Sequence, residues 1–139
     1  MTAEDLVRRF EGCRLVAYRD IAQVWTIGFG HTGKDVYAGL VWSQAQADDE
    51  LHHDLSCAEA LLVTYSPAVA REPDAFAALT DFVFNLGIGN YRSSTLCERV
   101  NAADWAGAKA ELLKWDHSNG QVVEGLLARR QAEAALVAA

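Results

Sequence analysis

The stretch FEGCRLVAYRDIAQVWTIGFGHTG, from Phe10 to Gly33, has a different pattern from the rest of the chain. Apolar residues alternate in it with polar residues or glycine, and the glycines recur at intervals that are typical of turns. This pattern predicts a small antiparallel sheet over about residues 14–40. One carboxylate, Glu11, lies just before the sheet, and a second, Asp20, lies in a turn between two of its strands.

Helical periodicity follows the sheet and continues to the end of the chain. Ser43 and Gln46 form a capping-box pair at the start of a long helix, which is expected over about residues 44–64. Pro73 marks the start of the next helix and Gly87 marks its end. Further helices are expected over about residues 94–101, 104–115 and 122–137.

These elements predict the α+β class, with the strands concentrated in one stretch. We expect a single domain over residues 1–139, because this length is typical of one domain. A small β lobe, about residues 12–42, is joined by a connecting helix, about 43–65, to a helical lobe, about 66–139, which also takes the N-terminal helix. Two lobes joined in this way leave a cleft, where sites tend to lie.

Composition narrows the class of protein. The chain is 51% hydrophobic and 22% charged, with a net charge of −7, which indicates a globular protein that does not bind nucleic acid. No apolar run approaches the roughly 20 residues of a membrane-spanning helix, and the first residues lack the pattern of a secretion signal. We therefore expect a monomer that is made in the cytoplasm, is not inserted in a membrane and has no signal peptide.

No cofactor or metal site is expected from the remaining motifs. The segment DDELHHD, residues 48–54, places Asp49 and His53 one helical turn apart. A surface helix is the favoured interpretation, because a defined metal site needs three or four convergent ligands. The cysteines have no CxxC spacing, so we expect three mostly buried free thiols, with one bridge and a spare thiol as the alternative. They are Cys13, Cys57 and Cys97.

Paired carboxylates suggest a specific chemistry. In the cleavage of a glycosidic bond, one carboxyl group protonates the leaving oxygen and the other activates water or attacks the sugar carbon. The chain can fold back between Glu11 and Asp20, and Thr26 begins the strand that returns past Asp20. The spacing alone favours solvated surface carboxylates, because acidic residues are common.

Three segments carry a resemblance to a known family. They are the motif FEG…L.AY.D….TIGFGHTG within Phe10–Gly33, DFVFNLGIGNYRSSTL at 81–96, and KWDHSNGQVVEGLLARRQAE at 114–133. Together they resemble the phage-type lysozymes, the endolysins of glycoside hydrolase family 24. The segments stand in the family's order and span most of the chain, which makes the resemblance much more specific than any one motif.

The resemblance implies a lysozyme-like fold and a catalytic triad of Glu11, Asp20 and Thr26. By the same resemblance, Glu11 is the general acid, Asp20 stays ionised, and Thr26 orients a water molecule. The implied reaction is hydrolysis of the β-1,4 bond between N-acetylmuramic acid and N-acetylglucosamine in peptidoglycan, which leads to lysis of the cell wall after the protein is released. We expect inversion of configuration, for which the two carboxyl groups lie roughly 6.5–9.5 Å apart.

Two alternatives remain at this stage. A lytic transglycosylase would act on the same substrate, with a muramic acid hydroxyl in place of water. A non-catalytic wall-binding relative would keep the fold, and Gln23 leaves this alternative open because the family usually has glycine at that position. If the position needs a positive φ, glutamine costs roughly 1–2 kcal/mol there.

Four further residues are candidates for binding the substrate. Gly28 and Gly30 would let the backbone approach a sugar, although turn geometry explains them equally well. His31 is expected to tie the sheet to the helical lobe by hydrogen bonds rather than to act directly in catalysis. Asn85 lies at the end of a helix, where the resemblance favours a position in the cleft over a local cap.

The paired arginines near the C-terminus would ordinarily be assigned to a solvated helix face. In the family, an arginine from this region approaches the catalytic glutamate. The resemblance therefore implies that either Arg129 or Arg130 lies beside Glu11, and it leaves open which one does.

Overall fold

The computed structural model describes residues 1–118 and 120–137 and confirms the α+β class. Asn119 and the last two residues of the expected helical lobe lie outside the described residues. The elements in chain order are α1 (Ala3–Glu11), β1 (Arg14–Arg19), β2 (Trp25–Gly28), β3 (His31–Thr32), α2 (Gln44–Tyr65), a 3-10 helix (Pro67–Arg71), α3 (Pro73–Leu86), α4 (Ile88–Arg92), α5 (Thr95–Asn101), α6 (Trp105–Leu112), β4 (His117–Ser118), β5 (Gln121–Val122) and α7 (Glu124–Leu136).

The first three strands form an antiparallel sheet in the order β1–β2–β3. Tyr18 pairs with Thr26 and Arg19 with Trp25, so β1 and β2 form a hairpin whose turn contains Asp20. This register places Asp20 and Thr26 at the same end of the hairpin. The sheet is therefore antiparallel and lies within residues 14–40, as the alternating pattern predicts.

The long helix α2 begins and ends where the sequence predicts. The side chain of Ser43 accepts a hydrogen bond from the backbone of Gln46, and the side chain of Gln46 accepts one from the backbone of Ser43. This capping box satisfies two N–H groups that have no partner within the helix. At the other end the helix stops before Pro67, whose ring is incompatible with continuing it.

Helix α3 lies at the centre of the helical lobe and packs against α1, α2 and α7. Its residues Leu79 and Phe82 are fully buried in the larger hydrophobic core. A smaller core joins α1 to the sheet and α2, through Val7 and Phe29 among others. Because α3 is surrounded on these sides, a polar residue on its inner face has to find its partners inside the protein.

Some elements were not predicted from sequence. α4 follows directly after Gly87, in a segment whose glycine and serine content is typical of a loop. Its residue Tyr91 is fully buried, and the Tyr91 hydroxyl lies 2.7 Å from the Ser66 hydroxyl. Tertiary packing therefore overrides the local preference of this segment for a loop. The hairpin β4–β5 has two-residue strands, which are too short to show alternation. Helix α6 ends at Leu112, three residues earlier than expected.

The expectation of mostly buried thiols is wrong for two of the three cysteines. All three are free, but Cys13 and Cys57 are exposed and only Cys97 is buried. Cys13 follows the end of α1, and Cys57 lies on a face of α2 that borders a cavity. Among the described residues, none of the helices combines the length and apolar character needed to cross a bilayer.

The turn after Asp20 holds Gln23 at φ 65°, in the left-handed region that favours glycine. We expect Gln23→Gly to stabilise the protein by about 0.5–1 kcal/mol, since relief of the strain outweighs the entropy that glycine adds to the unfolded chain. Thermal unfolding measures the gain. Ala103→Gly is the matched control, because Ala103 also has a positive φ, 55°, but lies far from this turn in the sequence. A lower melting temperature for Gln23→Gly would contradict the strain argument.

Candidate active site

Glu11 is the last residue of α1, and its carboxylate is bound by a residue near the C-terminus of the chain. Its Oε1 atom accepts a hydrogen bond of 2.6 Å from Nη1 of Arg129, which lies on α7. The side chain of Glu11 keeps 23% of its surface exposed, whereas that of Arg129 keeps 4%. Of the two arginines, Arg129 is therefore the one beside Glu11, and neither arginine lies on a solvated face, since both are buried.

The second oxygen of Glu11 faces the loop after β2. Gly30 has φ 79°, and a Cβ atom at this position would lie only 2.6 Å from Oε2 of Glu11. Glycine is thus the residue that lets the backbone approach the carboxylate. Gly28 has a different environment, because its missing Cβ would lie 3.0 Å from the ring of Trp42. The structure therefore places Gly30 against Glu11 and Gly28 against Trp42.

Asp20 and Thr26 are positioned by their own hairpin. Oδ1 of Asp20 accepts a 2.9 Å hydrogen bond from the backbone N–H of Val24, and the backbone of Gln23 donates to the carbonyl of Asp20. Thr26 is buried, and its hydroxyl donates to the carbonyl of Val24 at 2.9 Å. Because its proton is used in this way, the Thr26 oxygen keeps its lone pairs to accept a hydrogen bond from water.

Tyr18 lies within electrostatic reach of both carboxylates, which sequence reasoning missed. The guanidinium of Arg14 lies 4.2 Å from the centre of its ring. Burial raises the pKa of Tyr18, Arg14 opposes the rise, and the negative charges of Glu11 and Asp20 add to it. The side chains of the hairpin and the end of α1 therefore share one electrostatic environment.

His31 joins the sheet to α2. Its Nδ1 lies 2.8 Å from a carboxylate oxygen of Asp54, and its Nε2 lies 3.0 Å from Asp35 and 3.7 Å from Glu50. Burial works against the charged ring, but the hydrogen bonds to Asp54 and Asp35 and the nearby negative charges outweigh it and raise the pKa of His31. The ring also packs beside Trp42, with 5.6 Å between the ring centres.

A cavity of about 280 Å³ lies between the sheet, α2 and α3. Gly30, His31 and Asp54 are among its lining residues. Donor atoms of His31, Glu50 and Asp54 all lie within 4.8 Å of one another, which is the spacing of a possible metal site. Both ring nitrogens of His31 already lie close to carboxylates, so ion pairing with the histidine accounts for this group.

Behind Glu11 lies a buried group of charges. Arg129 donates from Nε and Nη2 to the two oxygens of Asp81, at 2.9 and 2.7 Å. Burial opposes the Arg129 cation, but its hydrogen bonds and the charges of Asp81 and Glu11 outweigh this and raise its pKa. Arg130 pairs with Glu133, and burial, together with a hydrogen bond to Asp81, raises the pKa of Glu133 well above its usual value.

No sequence motif identifies Asp81 or Glu133 as part of the site. The available signal for Asp81 is a carboxylate in a helix that is otherwise largely apolar, which indicates a buried partner. Asn85 lies in α3, and its side-chain oxygen is buried without a hydrogen-bond partner among the described residues. Its expected contact with the substrate stays a prediction.

Comparisons with known proteins show the family and the fold of the chain. The family model described as "Phage lysozyme" matches residues 8–133. An endolysin from Acyrthosiphon pisum secondary endosymbiont phage 1 is 41% identical over 94% of this chain and 91% of its own length. The active form of the P1 phage endolysin Lyz superposes with a TM-score of 0.85 at 26% identity, over 98% of this chain and 83% of its own. The muramidase domain of SpmX from Asticaccaulis excentricus gives 0.83 at 30% identity, over 96% and 92%.

The close approach of Gly30 to Glu11 predicts a specific cost for a side chain at this position. Gly30→Ala has to displace the Glu11 carboxylate. Gly39 also has a positive φ, 89°, but the space around its Cβ position is open, so Gly39→Ala costs only backbone strain. We expect Gly30→Ala to lower the free energy of unfolding by about 1–3 kcal/mol more than Gly39→Ala does. Denaturant unfolding measures both variants, and equal losses would contradict the contact.

The ion pairs of His31 predict how stability depends on pH. Because the pKa of His31 is raised in the folded state, its contribution is complete below about pH 6.5, the unfolded value, and is lost as the pH rises through the folded value. The melting temperature of the parent protein should therefore exceed that of His31→Asn most clearly at low pH. His53→Asn, in an exposed histidine of α2, is the control. A difference that grows with pH would contradict the assignment.

Proposed function

The chain belongs to the phage lysozyme family, and from this premise we propose that Glu11, Asp20 and Thr26 form its catalytic triad. The protein is a peptidoglycan-hydrolysing lysozyme, a muramidase that cleaves the β-1,4 bond between N-acetylmuramic acid and N-acetylglucosamine. The observation that carries the assignment of the triad is the position of Glu11. Its carboxylate lies between Arg129 and Gly30, which borders the cavity between the lobes.

Glu11 has the geometry of a general acid. Arg129 holds Oε1, which fixes the direction of the side chain and leaves Oε2 next to Gly30. We assign the catalytic proton to Oε2. From there it passes to the glycosidic oxygen as the bond to the sugar carbon breaks.

Asp20 and Thr26 complete the reaction on the opposite side of the sugar. A water molecule donates a hydrogen bond to the free lone pairs of Thr26, and its oxygen attacks the anomeric carbon while its second proton passes to Asp20. The backbone of Val24 holds both side chains in place through hydrogen bonds. This arrangement supports the inverting course, in which the new hydroxyl replaces the leaving oxygen from the other face.

Gly28, Gly30, His31 and Asn85 belong to the same proposal as substrate-binding residues. Gly30 and His31 line the cavity, which supports direct contacts with a sugar. Gly28 would act indirectly, by letting the strand pack closely against Trp42. For Asn85, the support comes from the family resemblance of its segment.

Hydrolysis is favoured over the two alternatives that the sequence left open. The relatives compared above are named endolysins and a muramidase, and these names do not favour a transglycosylase or a wall-binding module. The Thr26 oxygen, with lone pairs available to water, also supports hydrolysis.

We further propose a single-domain monomer that acts on the wall after release from the cytoplasm, without inserting stably in a membrane or binding nucleic acid. The endolysin relatives support action at the wall. Light scattering tests the monomer, and fractionation of cells that express the chain alone tests the release. Protein exported without a partner would contradict the proposed release.

Glu11→Gln should abolish the clearing of purified peptidoglycan, because the amide of glutamine is not acidic enough to protonate the leaving oxygen. The expected loss is about 100-fold or more. Glu4→Gln is the matched control, since Glu4 lies on the same helix but pairs with Arg8 and His52 at the surface. Turbidity measures the rate, and mass spectrometry identifies the products.

The products separate the alternatives in the same experiment. Reducing ends establish hydrolysis, anhydro ends would establish a transglycosylase, and clearing by Glu11→Gln at the parent rate would remove Glu11 from the mechanism. NMR of the fresh product should show the α anomer released from the β bond. The β anomer would overturn the inverting course.

A further inference from the structure

Arg129 is bound more extensively by Asp81 than by Glu11. Two of its nitrogens donate to the two oxygens of Asp81, in the fork geometry that gives strong and well-oriented pairs. One nitrogen remains for Glu11. The Asp81 side chain has no exposed surface, so this pairing is fully removed from water.

The contact between Arg129 and Glu11 raises a problem for catalysis. A cation close to a carboxylate favours the ionised form and typically lowers the pKa of the carboxyl group by about one to three units. A general acid, however, has to carry its proton when the substrate binds. A lone arginine 2.6 Å from Glu11 would therefore orient the carboxyl group, but it would also favour the ionised form, which has no proton to donate.

The charges behind Glu11 remove this conflict. Glu11 and the buried charges behind it comprise two guanidinium groups, on Arg129 and Arg130, and three carboxyl groups, on Glu11, Asp81 and Glu133. Two cations and three anions leave one excess negative charge when every group is ionised. Because burial raises the pKa of Glu133, the compensating proton is favoured on that carboxyl group rather than on Glu11. Around Arg129 itself, however, one cation faces two carboxylates, and the paired hydrogen bonds to Asp81 already balance its charge before Glu11 is counted.

We propose that Asp81 is a positioning residue for the hydrolysis. As the buried counter-ion of Arg129, Asp81 balances the charge of that guanidinium group, so that Arg129 can orient the Glu11 side chain without keeping its carboxyl group ionised. The inference rests on the proposed role of Glu11 as the acid. It assigns to Asp81 a function beyond joining α3 to α7. A purely structural Asp81 would affect stability and overall rate but not the pH at which the enzyme loses activity.

The isosteric variant Asp81→Asn tests the proposal. It removes one negative charge and leaves Arg129 uncompensated beside Glu11. We expect the alkaline limb of the pH profile of kcat/KM to move about one pH unit towards acid, which is about a tenfold loss of rate at a fixed pH above the limb. The substrate is a soluble glycan fragment of peptidoglycan without its peptides, so that wall charge does not contribute.

Asp116→Asn is the matched control. Asp116 is also a buried carboxylate of the helical lobe, but its partner is His117 rather than the arginines of α7. Its pH profile should keep the parent position. An Asp81→Asn profile that is lowered at every pH without a shift would overturn the proposal and leave Asp81 a structural role.

Arg129→Lys provides a second test if Asp81→Asn does not fold. A lysine ammonium cannot serve both carboxylates in the geometry of a guanidinium, and Asp81, which has no water contact, should retain it. The alkaline limb should then not move towards acid, although the rate falls because Glu11 loses its orienting donor. A shift of the alkaline limb towards acid would mean that the lysine ammonium pairs with Glu11 rather than with Asp81, and the proposal would fail.

The failure of the proposed function can be distinguished from the failure of this inference. The titration of the Glu11 carboxyl carbon, followed by NMR in the parent and in Asp81→Asn, reports the coupling without any substrate. A shift of that titration supports the coupling even if Glu11→Gln remains active, which would overturn only the catalytic assignment. An unchanged titration together with an inactive Glu11→Gln would overturn only the role of Asp81.

Discussion

The fork-shaped ion pair between Arg129 and Asp81 is the interaction on which the site depends. Glu11 and Arg129 are 118 positions apart in the sequence, and Asp81 lies 48 positions before Arg129. Their contact therefore exists only when α1, α3 and α7 have packed together. Burying two charges costs several kcal/mol for each ion before pairing offsets it, so the pair contributes a specific geometry rather than stability.

The other half of the proposed triad needs no such assembly. Asp20 and Thr26 are held by hydrogen bonds to Val24, within a single hairpin. The positive φ of Gln23 closes this turn at a cost in backbone strain. The site thus joins one carboxylate, placed by the packing of three helices, to another placed by a local turn, and their separation depends on how the sheet docks on α1 and α2.

This division explains what could be predicted from the sequence. The hairpin, the long helix α2 and the limits of α3 follow from alternation, capping and turn residues, which act over a few positions. The motif also identifies Glu11, Asp20 and Thr26 as candidate site residues, because they lie close together in the sequence. The choice between Arg129 and Arg130, and the part played by Asp81 and Glu133, could not be predicted, since helix periodicity does not show which long-range partners meet in the interior.

The protonation of His31 connects the two halves. The ring links β3 to α2, next to the loop in which Gly30 approaches Glu11, and the raised pKa of His31 strengthens this link at low pH. The ion pairs that join the sheet to α2 are therefore strongest at low pH, where the His31 ring is charged. Because Asp35, Glu50 and Asp54 supply more negative charge than one imidazolium can balance, the joint loosens when the ring loses its proton.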